Sequence, residues 1–209
     1  KYISDKSRLL IIDRNYKEIN KNIAKDPNIS KVIQLKLSQN REYMVGFELA
    51  KNPNISKEIQ IELFNDINGS VLNSLASNPN ISEEIQLKIF KENHRASRGM
   101  LAKNPNISYI VKFDFFNTIK NEEIWIRSCI AENPKINEEE QLRFLQDDYD
   151  VRIGLAKNPN ISKFVQKEII RNQDEDVRKN LAENINLSEE IQLQLVQDEK
   201  CIRESLAQN

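Results

Sequence analysis

The chain has little of what most catalytic sites are built from. A single histidine, His94, leaves no material for a multi-histidine metal centre or for a histidine relay shared between copies of a motif. The four glycines, Gly46, Gly69, Gly99 and Gly154, are isolated, so there is no glycine-rich phosphate loop. Cys129 and Cys201 lie nearly three repeat lengths apart, too far in a stacked array for the ~5.5 Å Cα separation of a disulfide. They read as small buried or half-buried thiols in a reducing compartment, and the expected location is cytoplasmic. No apolar run approaches the ~20 residues of a membrane span, so a membrane partner is not expected. The formal net charge of −1 provides no global field for nucleic acid. The balance shifts along the chain: residues 1–104 carry 17 Lys and Arg against 12 Asp and Glu, and the rest carry 14 against 20.

What the chain does have is a beat. All six prolines, Pro27, Pro53, Pro79, Pro105, Pro134 and Pro159, follow Asn or Asp and precede a nearby Ile. The commonest phrase is Ala-x-Asn-Pro-Asn-Ile-Ser, as in Ala50 to Ser56 and Ala156 to Ser162. Taking the Asn or Asp before proline as position zero, the zeros fall at Asp26, Asn52, Asn78, Asn104, Asn133, Asn158, Asn184 and Asn209. Their spacings are 26, 26, 26, 29, 25, 26 and 25 residues. The turn at Asn184-Ile185-Asn186 keeps the rhythm without proline, so proline reinforces the turn and does not define it. A fixed period of this length marks a repeat array that grows by stacking neighbours. The expectation is one all-α domain over residues 1–209, a right-handed α-solenoid of about eight two-helix units.

Within each unit the first helix follows a capping residue: Ser30, Ser56, Ser82, Ser108, Asn137, Ser162 or Ser188. Acids such as Glu83-Glu84 and Glu189-Glu190 suit the positive helix end. Apolar residues at positions seven, nine, eleven and twelve predict a wide buried arc on a helix sandwiched between neighbours. The second helix has Val or Ile seven before zero and Leu or Ile three before, one helical face. Ala stands two before zero in every copy, which predicts a contact with room for one methyl group. Proline forces its predecessor out of the α region and ends this helix. Position eight is Gln in six copies, with Lys112 the exception. It falls inside the apolar arc, where a buried amide needs partners. A clamp from Gln to the turn of an adjacent repeat is the favoured reading over a ligand-binding ladder. The Asn-x-Ser sequons spell turn plus cap rather than glycosylation.

Val151-Arg152 through Leu155-Ala156-Lys157-Asn158-Pro159, and Asp176-Val177-Arg178 through Leu181-Ala182-Glu183-Asn184, resemble the units of the variant leucine-rich repeat family. The resemblance covers the whole chain and implies two helical segments per unit, one of them 3₁₀ or very short, in a right-handed superhelix. Members of the founding type carry an iron–sulfur cysteine cluster near the N-terminus. No cysteine precedes Cys129 here, so that cofactor is not carried over and no cofactor is expected. The family's Thr-Pro after the turn is Ile-Ser here, which leaves the capping role to Ser.

Two features point outward. Six before zero, Arg98, Arg127, Arg152, Arg178 and Arg203 form a ladder suited to phosphates or an acidic partner. The competing reading pairs each arginine with carboxylates of the preceding loop, such as Asp148, Asp174 or Asp198. The second feature is the aromatic content of the 29-residue unit. Phe113, Phe115 and Phe116 fall on core positions, whereas Tyr109 and Trp125 stand where other copies are polar and are candidate anchors for a partner. His94, in the polar stretch from Glu92 to Arg95, reads as solvated, and Asp147-Asp148-Tyr149-Asp150 as a connector that lacks the Gly and distal Glu of a calcium loop. No catalytic, cofactor or metal residue is expected. The leading expectation is a non-catalytic scaffold for a protein or peptide. The alternative is nucleic-acid backbone binding, which the near-neutral charge disfavours.

Overall fold

The computed structural model describes residues 3–65, 68–92, 94–171 and 174–209, and among them it is all-α, without strands. The chain divides into two compact units, residues 1–111 and 112–209. The first holds α1 (Asp5–Asp13), α2 (Lys17–Lys25), α3 (Lys31–Ser38), α4 (Tyr43–Lys51), α5 (Lys57–Phe64), α6 (Gly69–Ser77), α7 (Glu83–Lys91) and α8 (Arg95–Lys103), and the start of α9 (Tyr109–Thr118). The second holds the rest of α9, a 3₁₀ turn (Ile119–Asn121), α10 (Ile124–Ala131), α11 (Glu138–Phe144), α12 (Tyr149–Ala156), α13 (Lys163–Ile170), α14 (Glu175–Ala182), α15 (Glu189–Leu195) and α16 (Lys200–Gln208). In each, odd-numbered helices pack on odd and even on even, giving two layers, and, α9 apart, each odd helix packs on the even helix that follows it. Both members of a pair are α-helical, so the second segment is neither 3₁₀ nor vestigial.

The helix starts follow local chemistry. The hydroxyls of Ser4, Ser30, Ser56, Ser108 and Ser162 accept the backbone N–H three residues on, as does the Asn137 amide oxygen. Ser82 and Ser188 have capping backbone geometry without that bond. The buried stripe of the first helix is narrower than its composition predicts. Positions seven and eleven are buried, as in Ile33 and Leu37 or Val165 and Ile169. Position nine is not: Leu35, Phe113 and Leu193 are 46%, 52% and 65% exposed. At about 100° per residue, position nine lies about 200° from position seven, on the far side of the helix. Phe113 is therefore not a core residue, whereas Phe115 and Phe116 are buried.

The asparagine at position zero does more than make a turn. The Asn78 side-chain N–H₂ donates to Ala50 O (2.7 Å) and Asn52 O (2.9 Å), the alanine and the zero position of the preceding repeat. Its Oδ1 accepts from Asn80 N at 2.9 Å, which forms the turn. Asn52, Asn104, Asn158, Asn184 and Asn209 donate to the same two places one repeat back. A second column runs beside it, with Asn54, Asn80, Asn106, Asn160 and Asn186 donating to the carbonyl one past zero in the repeat before. These side chains are the sequon asparagines, occupied in holding the array. The proline-free turn at Asn184 makes the full set of bonds.

The glutamine clamp is present. Gln34 Nε2 donates to Asn54 O (3.0 Å) and to Ile29 O, and its Oε1 accepts from Ser56 N (2.9 Å), so one amide satisfies the next turn in both senses. Gln60, Gln86, Gln141 and Gln166 repeat this. Each leaves no orphaned amide in a buried place, the condition for a polar residue inside a core.

The even layer of residues 112–209 has one close approach. A Cβ on Gly154 in α12 would stand 2.5 Å from Ser128 O and 2.6 Å from Ser128 Oγ in α10. Ser128 Oγ is itself fixed by donating to Asp150 O at 2.8 Å. Alanine is the better helix former by about 1 kcal/mol, but here it must push two helix backbones apart. Gly154→Ala is expected to lower stability by about 1–3 kcal/mol, measured as a shift of the urea midpoint at unchanged slope. An unchanged or raised midpoint would mean that the helices separate freely.

Candidate functional site

The arginine ladder is engaged within the array. Arg127 sets Nε and Nη2 on the Asp147 carboxylate at 3.2 and 2.9 Å and also contacts Asp148. Arg152 bonds Asp174, and Arg178 grips Asp198 with Nε and Nη2 at 2.9 and 3.1 Å. In each pair the carboxylate belongs to the following unit, not to the arginine's own preceding loop. That preceding loop supplies a backbone carbonyl instead: Glu122 O to Arg127, Asp147 O to Arg152 and Asp198 O to Arg203. Arg127 and Arg152 thus each tie their own loop to the next one. Burial opposes ionisation of Asp198, but the Arg178 hydrogen bonds, the Glu199 N–H and the Arg178 charge outweigh it and hold the carboxyl below the usual aspartate range. Arg98, in residues 1–111, lies over the Phe90 ring at 5.0 Å. Among the described residues Arg203 has no carboxylate partner and is exposed.

The other candidates separate. Tyr109 is 75% exposed on α9, whereas Trp125 is half-buried. His94 is exposed with Nε2 3.3 Å from Glu92, and Asn93 between them lies outside the described residues. In the Asp147–Asp150 connector, the Tyr149 hydroxyl donates to Asp176. That bond, then burial and the charges of Asp176, Asp174 and Asp150, push the phenol up to about 12. Cys129 is buried and Cys201 half-buried, and neither forms a disulfide. The Cys201 thiol donates to Glu175, and this bond raises its pKa, so the thiol stays protonated. Glu199 completes a group of three potential ligand atoms there, two of them exposed carboxylates.

The distinctive feature of residues 112–209 is a cleft of about 770 Å³ beside the 3₁₀ turn. Phe116 and Phe144 form its floor, their rings 5.8 Å apart and tilted by 51°. Asn117, Ile119, Lys120, Asn121, Arg127, Arg143 and Asp147 complete its lining. Arg143 holds its guanidinium 5.9 Å from the Phe116 ring centre. The last pair of units has a cleft in the equivalent place, lined by Ile170, Arg178, Gln194, Leu195, Gln197 and Asp198, of about 380 Å³. Arg178 and Asp198 match Arg127 and Asp147. The floor differs: Ile170 and Leu195 stand where Phe116 and Phe144 do, and Gln194 where Arg143 does. Ile119, Lys120 and Asn121 belong to the extra length of the 29-residue unit. Three substitutions and an inserted turn have thus been made at one cleft.

Of the candidate partner residues, only Arg127 lines this cleft; Tyr109 and Trp125 do not. Phe116, Lys120, Arg143 and Phe144 were not legible as a site, because aromatics at positions eleven and twelve read as core. The signal was the unit length together with the changes at positions ten, eleven and twelve. No family model, curated protein or solved structure matches the chain.

Proposed function

We propose that the chain is a non-catalytic binding scaffold whose repeat surface holds a protein or peptide partner. The observation that supports this reading is the contrast between the two equivalent clefts. The asparagine ladder and the Arg–Asp tie close around Ile170 and Leu195 as well as around Phe116 and Phe144. Folding therefore does not call for the aromatic floor or for the added cations. Aromatic and arginine side chains are the usual anchors of a protein interface. The scaffold reading goes with membership of the variant leucine-rich repeat family, and a cytoplasmic setting fits two cysteines that form no disulfide.

The test places a photo-activatable amino acid at Leu35, Asn121 or Leu193, all exposed, and irradiates each chain in extract of the native host. A scaffold gives a cross-linked protein that excess unlabelled chain competes away. If none of the three positions yields a competed product, the scaffold reading is wrong.

A further inference from the structure

Building on the scaffold reading, we propose that the cleft beside the 3₁₀ turn takes an acidic peptide segment, with one aromatic side chain on the Phe116–Phe144 floor and flanking carboxylates on Lys120 and Arg143. Charge decides the class of ligand. The cleft is lined by three cations, Lys120, Arg127 and Arg143, and one anion, Asp147. Asp147 and Arg127 neutralise each other in a pair whose side chains are 19% and 14% exposed, and Asp148, outside the lining, also contacts Arg127. Of the lining cations, that leaves Lys120 and Arg143 for a ligand. Lys120 is exposed and has no ion-pair partner among the described residues. Among the described residues the one carboxylate Arg143 meets is Glu139 on its own helix, at 3.2 Å, with both side chains more than half exposed. A surface pair of this kind contributes little and exchanges readily for another carboxylate.

Floor and length point the same way. Phe116 and Phe144 are 8% and 1% exposed, so a third ring meets them edge-to-face or offset over the small part of their surface that faces the cleft, and the guanidinium already over Phe116 can stack on an incoming ring. The side-chain amides of Asn117 and Asn121 border the opening, placed to bond the backbone of an extended chain. The cleft lies at the loop edge of the layers and opens to solvent, so a segment can enter and leave along it.

The experiment selects a phage-displayed library of random nine-residue peptides on the intact 209-residue chain. The expected winners carry one Phe, Tyr or Trp flanked by Asp or Glu. A labelled winner should bind about tenfold or more weakly to Lys120→Glu/Arg143→Glu, and less weakly to Lys120→Gln/Arg143→Gln. Its affinity should also fall with added salt. Both side chains are exposed, so both variants should keep the thermal midpoint. If the charge-reversed chain melts early, the neutral pair carries the comparison. Winners without acidic enrichment, or winners that bind the charge-reversed chain equally well, would overturn the cleft assignment and leave the scaffold reading standing. No winners and no competed cross-link would remove both. Binding of ATP in the cleft in place of any peptide would make it a small-molecule site and overturn the proposal.

Discussion

Asn158→Asp is expected to lower the stability of residues 112–209 by about 3–5 kcal/mol at neutral pH, among the largest effects of any single-atom exchange in the chain. The Asn158 amide is fully buried and donates to Ala131 O at 2.9 Å and Asn133 O at 2.8 Å. Aspartate keeps the oxygen that accepts from Asn160 N but turns the double donor into a carboxylate oxygen facing two carbonyls. Ionised, it is repelled by both; protonated, it can donate to one. Its folded-state pKa is therefore raised, and the penalty relative to wild type is full at neutral pH and shrinks as pH falls through that raised value. The contrast is Asp26, a natural aspartate at position zero. There the Asn28 N–H donates to the carboxylate, and despite the opposing effect of burial this bond, together with Arg8 at 2.6 Å, holds the pKa below the usual range. Asp26→Asn removes only a part-exposed ion pair, and a cost of about 1 kcal/mol or less is expected. Urea unfolding of both variants at pH 7 and pH 5, with amide exchange in residues 131–160, checks this. Equal and small effects at Asn158 and Asp26 would mean that the ladder contributes little.

The two-helix unit was legible because its determinants are local. A serine hydroxyl finds an N–H three residues away, and a proline excludes its neighbour from the helix, whatever surrounds them. The glutamine clamp was legible for a different reason: Gln34 and its counterparts stand at a buried angle and must have a partner. The zero-position asparagine escaped because a turn already accounts for Asn, so nothing local signalled a bond 26 residues back. The same blindness misdirected the arginines. Asp148 is near Arg152 in sequence, but stacking brings Asp174 of the following unit to it. Position nine was misplaced because leucine and phenylalanine count as apolar wherever they point. The cleft is the hardest case: Phe144 is 1% exposed and reads as ordinary core, and only comparison of two folded copies reveals that it also forms a floor.

The one break in the glutamine column shows how the array tolerates an error, and it carries the second large prediction. Lys112 occupies the clamp position, and Glu140 stands at position seven of the next unit, where Ile33, Ile59 and Ile85 are buried elsewhere. Lys112 Nζ donates to Lys135 O at 3.1 Å, the place that Gln Nε2 reaches in other copies. Glu140 accepts from Asn137 N at 2.8 Å, the part that Gln Oε1 plays. A 3.0 Å ion pair joins them, with both side chains about 15% exposed. Two charged residues therefore reproduce one neutral amide, and neither suits its place without the other. Glu140→Ile alone strands a half-buried ammonium and uncaps Asn137 N, at an expected cost of about 2–3 kcal/mol. Lys112→Gln alone sets an amide oxygen against the carboxylate, at about 1–2 kcal/mol. The double variant restores the commonest pattern and should lie within about 0.5 kcal/mol of wild type or above it, a coupling of about 2 kcal/mol or more. Urea midpoints of the four chains measure this cycle, and strictly additive losses would mean that Lys112 and Glu140 are not a substitute clamp.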